Sequence, residues 1–97
     1  MKFEISKLAL EDINSIWLYT MENWSKNQAN KYYKLLIKEI NALRKNPLIG
    51  RPIEDVKNHH RIIQVKSHLI VYKISNNIIY ADRILHQSVD IENQLIE

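Results

Sequence analysis

Ile78-Ile79-Tyr80-Ala81-Asp82-Arg83-Ile84-Leu85, running on into His86-Gln87-Ser88-Val89-Asp90, is the stretch around which this chain is organised. Apolar residues from Ile78 to Ala81, and again at Ile84 and Leu85, read as a strand in the middle of a sheet, buried on both faces. Asp82 and Arg83 interrupt the run, and beyond Leu85 the character turns polar. Charge in such a place is costly unless it is paired or faces a cleft. The exit of this strand is therefore the expected working surface.

Working back from it, Ser75-Asn76-Asn77 is a turn of suitable composition, and Leu69 to Ile74 (LIVYKI) is the preceding strand. Ser67 and His68 make a tight turn, and Arg61 to Lys66 (RIIQVK) is a further strand. Turns this short make the three strands antiparallel neighbours. Ile53 to His60 reads as a polar connection. Leu48-Ile49-Gly50-Arg51-Pro52 reads as a turn. Gly50, the single glycine, is expected where φ is positive or where another group passes close to the backbone.

Two helices precede the strands. From Leu8 to Trp24 the apolar positions Ala9, Ile13, Ile16, Trp17, Met21 and Trp24 recur at three- and four-residue steps, which predicts one buried stripe. Trp17 is expected in the core and Tyr19 on the flank. Ser25 to Gln28 has the form of a capping box, opening a second helix from Lys26 to Lys45. Its stripe is Ala29, Tyr32 or Tyr33, Leu36, Ile40 and Leu43, with Lys31, Lys34, Lys38 and Glu39 outward. Asn46-Pro47 stops it. With almost no loop between them the helices form an antiparallel hairpin. Lys2 to Ser6 alternates as a short N-terminal strand, and Ser6 is placed to cap the first helix. Ser88 to Leu95 reads as a short acidic helix or tail, with Asp90 and Glu92 near its start.

The expected fold is α+β, in one domain over residues 1–97: an N-terminal strand, an antiparallel helix hairpin on one face of the sheet, a three-stranded antiparallel meander and a short C-terminal helix or tail. Nothing in the sequence obviously covers the other sheet face, and an uncovered, partly apolar face argues for a partner chain.

Composition narrows the function classes. A chain of 97 residues with 45% hydrophobic and 26% charged residues supports one modest core. The formal charge of +3 suits an acidic partner, but falls short of the dense basic stripe of a protein that grips a phosphate backbone by itself. Independent sequence-specific DNA binding is therefore not expected. No apolar run is long enough to span a bilayer. Without cysteine or a signal-like stretch, the expected compartment is the reducing cytoplasm. No phosphate-binding loop, dinucleotide fingerprint or zinc motif is present, so no cofactor or metal is implied. His59-His60, adjacent on an extended chain, point apart and read as a solvated loop, and His68 reads as an exposed turn residue.

Arg61, Arg83 and His86 are the candidate chemical residues. If the strands pair in order, these groups converge at one end of the sheet. Two permanently charged guanidiniums and a titrating imidazole can hold a phosphate and move a proton. The structural alternative pairs Arg83 with Asp82, Asp90 or a helix carboxylate, and sets His86 as a cap on the tail.

The ordered set Ala9, Asp12-Ile13, Ile16-Trp17, Tyr19, Trp24, Gln28-Ala29, Tyr32, Leu36, Leu43, Asn46-Pro47, Gly50-Arg51-Pro52, Arg61, His68, Val71-Tyr72, Arg83-Ile84-Leu85-His86 and Asp90 resembles toxins of the RelE/ParE superfamily, and most closely the ParE branch. The likeness runs almost from end to end. It implies the toxin of a type II toxin–antitoxin module, associated with growth arrest and plasmid stabilisation, acting without catalysis on DNA gyrase. It also implies a hetero-oligomer with a cognate antitoxin, whose C-terminal segment wraps the toxin. The alternative is the RelE branch, a ribosome-dependent mRNA endoribonuclease. On that reading Arg61, Arg83 and His86 are catalytic; on the first they form, with Asp90, a functional surface. RelE-type chains often place a Tyr or His near the C-terminus for proton transfer, and here no Tyr follows Tyr80. That departure and the thin basic cluster favour the ParE branch.

Overall fold

The structure is a computed structural model, described here over residues 1–54 and 59–91. The elements run β1 (Lys2–Ile5), α1 (Lys7–Asn23), α2 (Lys26–Ala42), β2 (Arg51–Pro52), β3 (Arg61–Val65), β4 (His68–Ser75) and β5 (Ile78–His86). They form the expected α+β arrangement with a mixed sheet of order β1-β5-β4-β3-β2. The meander β3-β4-β5 is antiparallel, and β1 lies parallel to β5, from Lys2 opposite Ile78 to Ile5 opposite Ala81. The opening stretch is thus an interior strand. The acidic tail helix falls largely on residues 92–97, outside the described residues.

Local signals set the helix starts. Ser6 Oγ accepts the Ala9 N–H at 3.0 Å, and its hydroxyl donates to the Asp82 carbonyl at 2.8 Å, fastening the α1 cap to β5. Ser25 Oγ accepts the Gln28 N–H at 3.0 Å and opens α2. Such a cap is worth about 1 kcal/mol. Only Trp24 and Ser25 separate the helices.

The helix hairpin covers one face of the sheet. Ala9 and Ile13 of α1 and Leu36 and Ile40 of α2 pack on Val65, Ile70, Ala81 and Ile84, while Leu43 joins Tyr72 and Ile79. Tyr32, not Tyr33, turns inward.

Several expectations are corrected. The opposite sheet face is not bare: Ile62, Leu69, Val71 and Leu85 form a second cluster there, covered by Ile53, Val89 and Ile91. Trp24 is 68% exposed, because it is the residue at which the chain leaves α1 and helical spacing no longer aims its side chain. Trp17 is only half-buried; its indole N–H donates to Asn30 Oδ1 of α2 at 2.9 Å, so it bridges the helices. α2 ends at Ala42, three residues before Lys45. Arg51 and Pro52 form a short edge strand, paired with Ile62 and Arg61. His68 begins β4 and is half-buried. His60 is 3% exposed, because its Nε2 meets Asp82 Oδ2 at 2.8 Å.

Gly50 has no positive φ, so close approach is its reason. A Cβ there would lie 2.5 Å from Tyr72 Oη and 2.7 Å from Cε1. The Gly50 N–H donates to Tyr72 Oη at 2.9 Å, and the phenol donates to the Pro47 carbonyl at 2.7 Å. Asn76 and Asn77, at φ 52° and 62°, make the tight β4–β5 turn whose left-handed residues match strand twist.

One irregularity in β5 sets the phase of the site. Val71 stands opposite Arg83 but Tyr72 stands opposite Ala81, so Asp82 is an extra, bulged residue. With strict alternation, Arg83 would fall opposite Ile70 in the helix-side core and Leu85 opposite His68. The bulge instead pairs Ile84 with Ile70 and His86 with His68.

Candidate functional site

The exit of β5 meets the closed end of the helix hairpin, where Trp24 and Ser25 join α1 to α2. A cleft of about 560 Å³ lies there between the α1–α2 junction and the β3–β4 turn, with Tyr19, Trp24, Tyr32, Lys66, His68 and His86 on its walls. Tyr19 and Trp24 stand 6.0 Å apart at its lip. At its base the Tyr32 hydroxyl lies 2.6 Å from His68 Nδ1 and 3.1 Å from the Val65 carbonyl. Burial pushes the His68 pKa down, and the neighbouring His86 adds to that; burial pushes the Tyr32 pKa up. Both effects favour neutral groups. His86 is exposed, with Nδ1 2.8 Å from Ser88 Oγ.

The three candidate residues do not converge. Arg61 stands opposite Tyr72, and His86 opposite His68, at the other end of the same strands. Four residue steps separate those positions along β4, about 13 Å. Arg61 donates through Nη1 to the Gly50 carbonyl at 2.7 Å, holding the turn before β2. Arg83 forms a two-point contact with Asp12 of α1, Nε to Oδ2 at 2.8 Å and Nη2 to Oδ1 at 3.1 Å. The hydrogen bond to Asp12 raises the Arg83 pKa further, and Asp12 also accepts the Ile84 N–H at 2.9 Å. The helix-carboxylate alternative therefore holds for Arg83. Asp90 is exposed just after the β5 exit.

Tyr32 and His68 were not singled out as site residues from the sequence. One signal was present for His68, which precedes the apolar run Leu69 to Tyr72 and so starts a strand; its pairing with His86 had none, because it depends on the extra residue in β5. The pairing of His60 with Asp82, and of Lys73 Nζ with Asp82 Oδ2 at 3.6 Å, had no such signal.

A second cleft, of about 470 Å³, runs along the β3 edge past Leu43, Ile49, Arg51, Ile62 and Leu69. β2 pairs only with Arg61 and Ile62, so among the described residues the outer edge of β3 from Ile63 to Val65 has no strand beside it. Leu48 and Ile49 are exposed next to it.

The described residues thus form a helix hairpin laid on a mixed sheet, with an open edge at β3 and surface clefts at the β5 exit and along β3. The chain belongs to the family described as ParE toxin of type II toxin-antitoxin system, parDE, whose model matches residues 3–91. Toxin ParE1 of Mycobacterium tuberculosis is 28% identical over 95 residues, covering 97% of each chain. Toxin ParE1 of Caulobacter vibrioides is 28% identical over 88 residues, covering 91% of each. A solved structure described as the chromosomal ParDE TA system from P. aeruginosa superposes with a TM-score of 0.77 at 14% identity, over 89% of this chain and 95% of that one, and shares the fold. No helix among the described residues is long and apolar enough to cross a membrane.

Proposed function

We propose that this ParE-family chain is a non-catalytic poison that acts in the cytoplasm by binding DNA gyrase, and that a cognate antitoxin neutralises it in a toxin–antitoxin hetero-oligomer. The observation that carries the reading is the contact of Arg83 with Asp12, at 2.8 and 3.1 Å. It commits to α1 a guanidinium that phosphoryl chemistry needs facing substrate. Arg61 is likewise turned to the Gly50 carbonyl, far along the strands from His86. What remains at the surface is suited to binding: exposed Tyr19, Trp24, Leu48 and Ile49, with His86 and Asp90 at the β5 exit. The open β3 edge supports an antitoxin segment that adds a strand, with main-chain bonds supplying affinity and the adjacent cleft taking its side chains. The net charge of +3 suits an acidic segment.

The test is a gyrase supercoiling assay with folded, purified chain. Inhibition relieved by the antitoxin, with ribosome-bound mRNA left intact, is expected. Absence of inhibition, together with cutting of ribosome-bound mRNA that His86→Ala abolishes, would move the chain to the endoribonuclease reading.

A further inference from the structure

His68 and His86 stand directly opposite each other on β4 and β5. The Gln87 N–H donates to the Ser67 carbonyl at 2.8 Å, just outside this pair. That bond marks a non-hydrogen-bonded cross-strand pair, the kind whose facing side chains come closest. The ring centroids are 5.5 Å apart and the planes meet at 85°. Each ring has Nδ1 at a hydroxyl: Tyr32 Oη at 2.6 Å for His68, and Ser88 Oγ at 2.8 Å for His86. Among the described residues no hydrogen bond engages either Nε2.

We propose that His68 and His86 form a two-histidine site for a borderline divalent transition-metal ion, bound through both Nε2 atoms at the mouth of the Tyr32 cleft. The spacing is that of two imidazoles on one ion. With metal–nitrogen bonds of about 2.05 Å and a tetrahedral angle, two ring centroids lie about 5.2 Å apart. The hydroxyls supply what metal-bound histidines ordinarily have, a partner on the second ring nitrogen that holds the ring's orientation.

The donor set selects the ion. Imidazoles suit zinc, nickel and copper, whereas magnesium and calcium require oxygen donors, and no carboxylate among the described residues lines this cleft. No third histidine, cysteine or carboxylate among the described residues completes a cluster, so water or a donor from a docked molecule takes the remaining positions. Lys66 on the same cleft opposes the positive charge, which holds affinity down. The Ser88 N–H also reaches His86 Nδ1, at 3.2 Å. Metal uptake shifts the neutral His86 ring's proton from Nε2 to Nδ1, which then donates to Ser88 Oγ and releases the Ser88 N–H to solvent, a further cost to affinity. The bound ion would staple the end of β5 to the start of β4.

Untagged full chain is titrated calorimetrically with zinc, nickel, copper and magnesium chlorides. One ion per chain is expected, copper tightest, with no magnesium binding. His86→Ala abolishes the binding, His59→Ala leaves it unchanged, and Ser88→Ala weakens it about tenfold. His86, His59 and Ser88 are exposed, and circular dichroism checks that each variant is folded. No saturable binding up to millimolar metal, binding indifferent to His86→Ala, or binding lost in His59→Ala would overturn the proposal.

Discussion

Arg83 and Asp12, 71 positions apart in sequence, are locked in a two-point contact that ties the first helix to the last strand. Asp12 Oδ2 also accepts the Ile84 N–H, on the β5 edge that β1 leaves free once its pairing ends at Ala81. The carboxylate therefore takes up part of the edge role of a neighbouring strand. Removing either partner leaves a part-buried charge poorly matched. Asp12→Ala and Arg83→Ala are each expected to lower unfolding free energy by about 1–3 kcal/mol, less than for a fully buried pair because both side chains keep some solvent. In a urea-denaturation double-mutant cycle, the double variant should lose less than the sum of the two.

Gly50→Ala is expected to destabilise the fold by about 1–3 kcal/mol in the same measurement. Its Cβ would meet the Tyr72 ring tip at 2.5 to 2.9 Å, and that ring is fully buried. Tyr72→Phe removes only the oxygen, leaves the Gly50 N–H without its acceptor, and should cost about 1–3 kcal/mol by itself. Because Cε1 and Cζ, at 2.7 and 2.9 Å from the added Cβ, remain in phenylalanine, the Gly50→Ala, Tyr72→Phe double variant should stay less stable than the parent chain.

Stability should fall on mild acidification. The folded chain holds the His68 pKa below its ordinary 6.5, so near that pH the unfolded chain binds more protons. The stabilisation is present above the unfolded value and is lost as pH falls through 6.5 toward the lower folded pKa. Tyr32 acts at the other end: its raised pKa gives stability present below the ordinary 10.0 and lost as pH rises past it. Thermal midpoints should be flat between these limits. His68→Asn should remove much of the acid-side slope, and an unchanged slope would place the titration elsewhere.

Leu36 and Trp24 should behave oppositely despite both fitting a helical apolar stripe. Leu36→Ala opens a cavity in the fully buried helix–sheet core and should cost about 2–5 kcal/mol. Trp24→Ala removes an exposed ring and should change stability by no more than about 0.5 kcal/mol. Loss of gyrase inhibition or antitoxin binding in folded Trp24→Ala would then report a contact made by that ring.

Of the residues singled out from the sequence, Arg61, Arg83, His86 and Asp90, only His86 lines the cleft at the β5 exit. The strand exit at Arg83 to Asp90 was found from its change of character, and Ser6, Ser25 and Asn76-Asn77 announced the caps and the hairpin. These signals are local: a cap or a turn is decided by residues within one helical turn or four positions. Trp24 and His60 were misread for the same reason, since each depends on where a boundary or a distant carboxylate falls.

The sequence by itself determined the element order, the helix-hairpin-on-sheet class and the family likeness of the β5 exit. Tertiary structure alone decided what that exit contains. One unpaired residue, Asp82, shifts the alternation of β5, so that Arg83 escapes the core toward Asp12 and His86 arrives opposite His68. A strand's side chains alternate with a period of two, so a single extra residue exchanges every face beyond it. That residue becomes visible only when β4 is laid against β5, because register belongs to the pair of strands and not to either one.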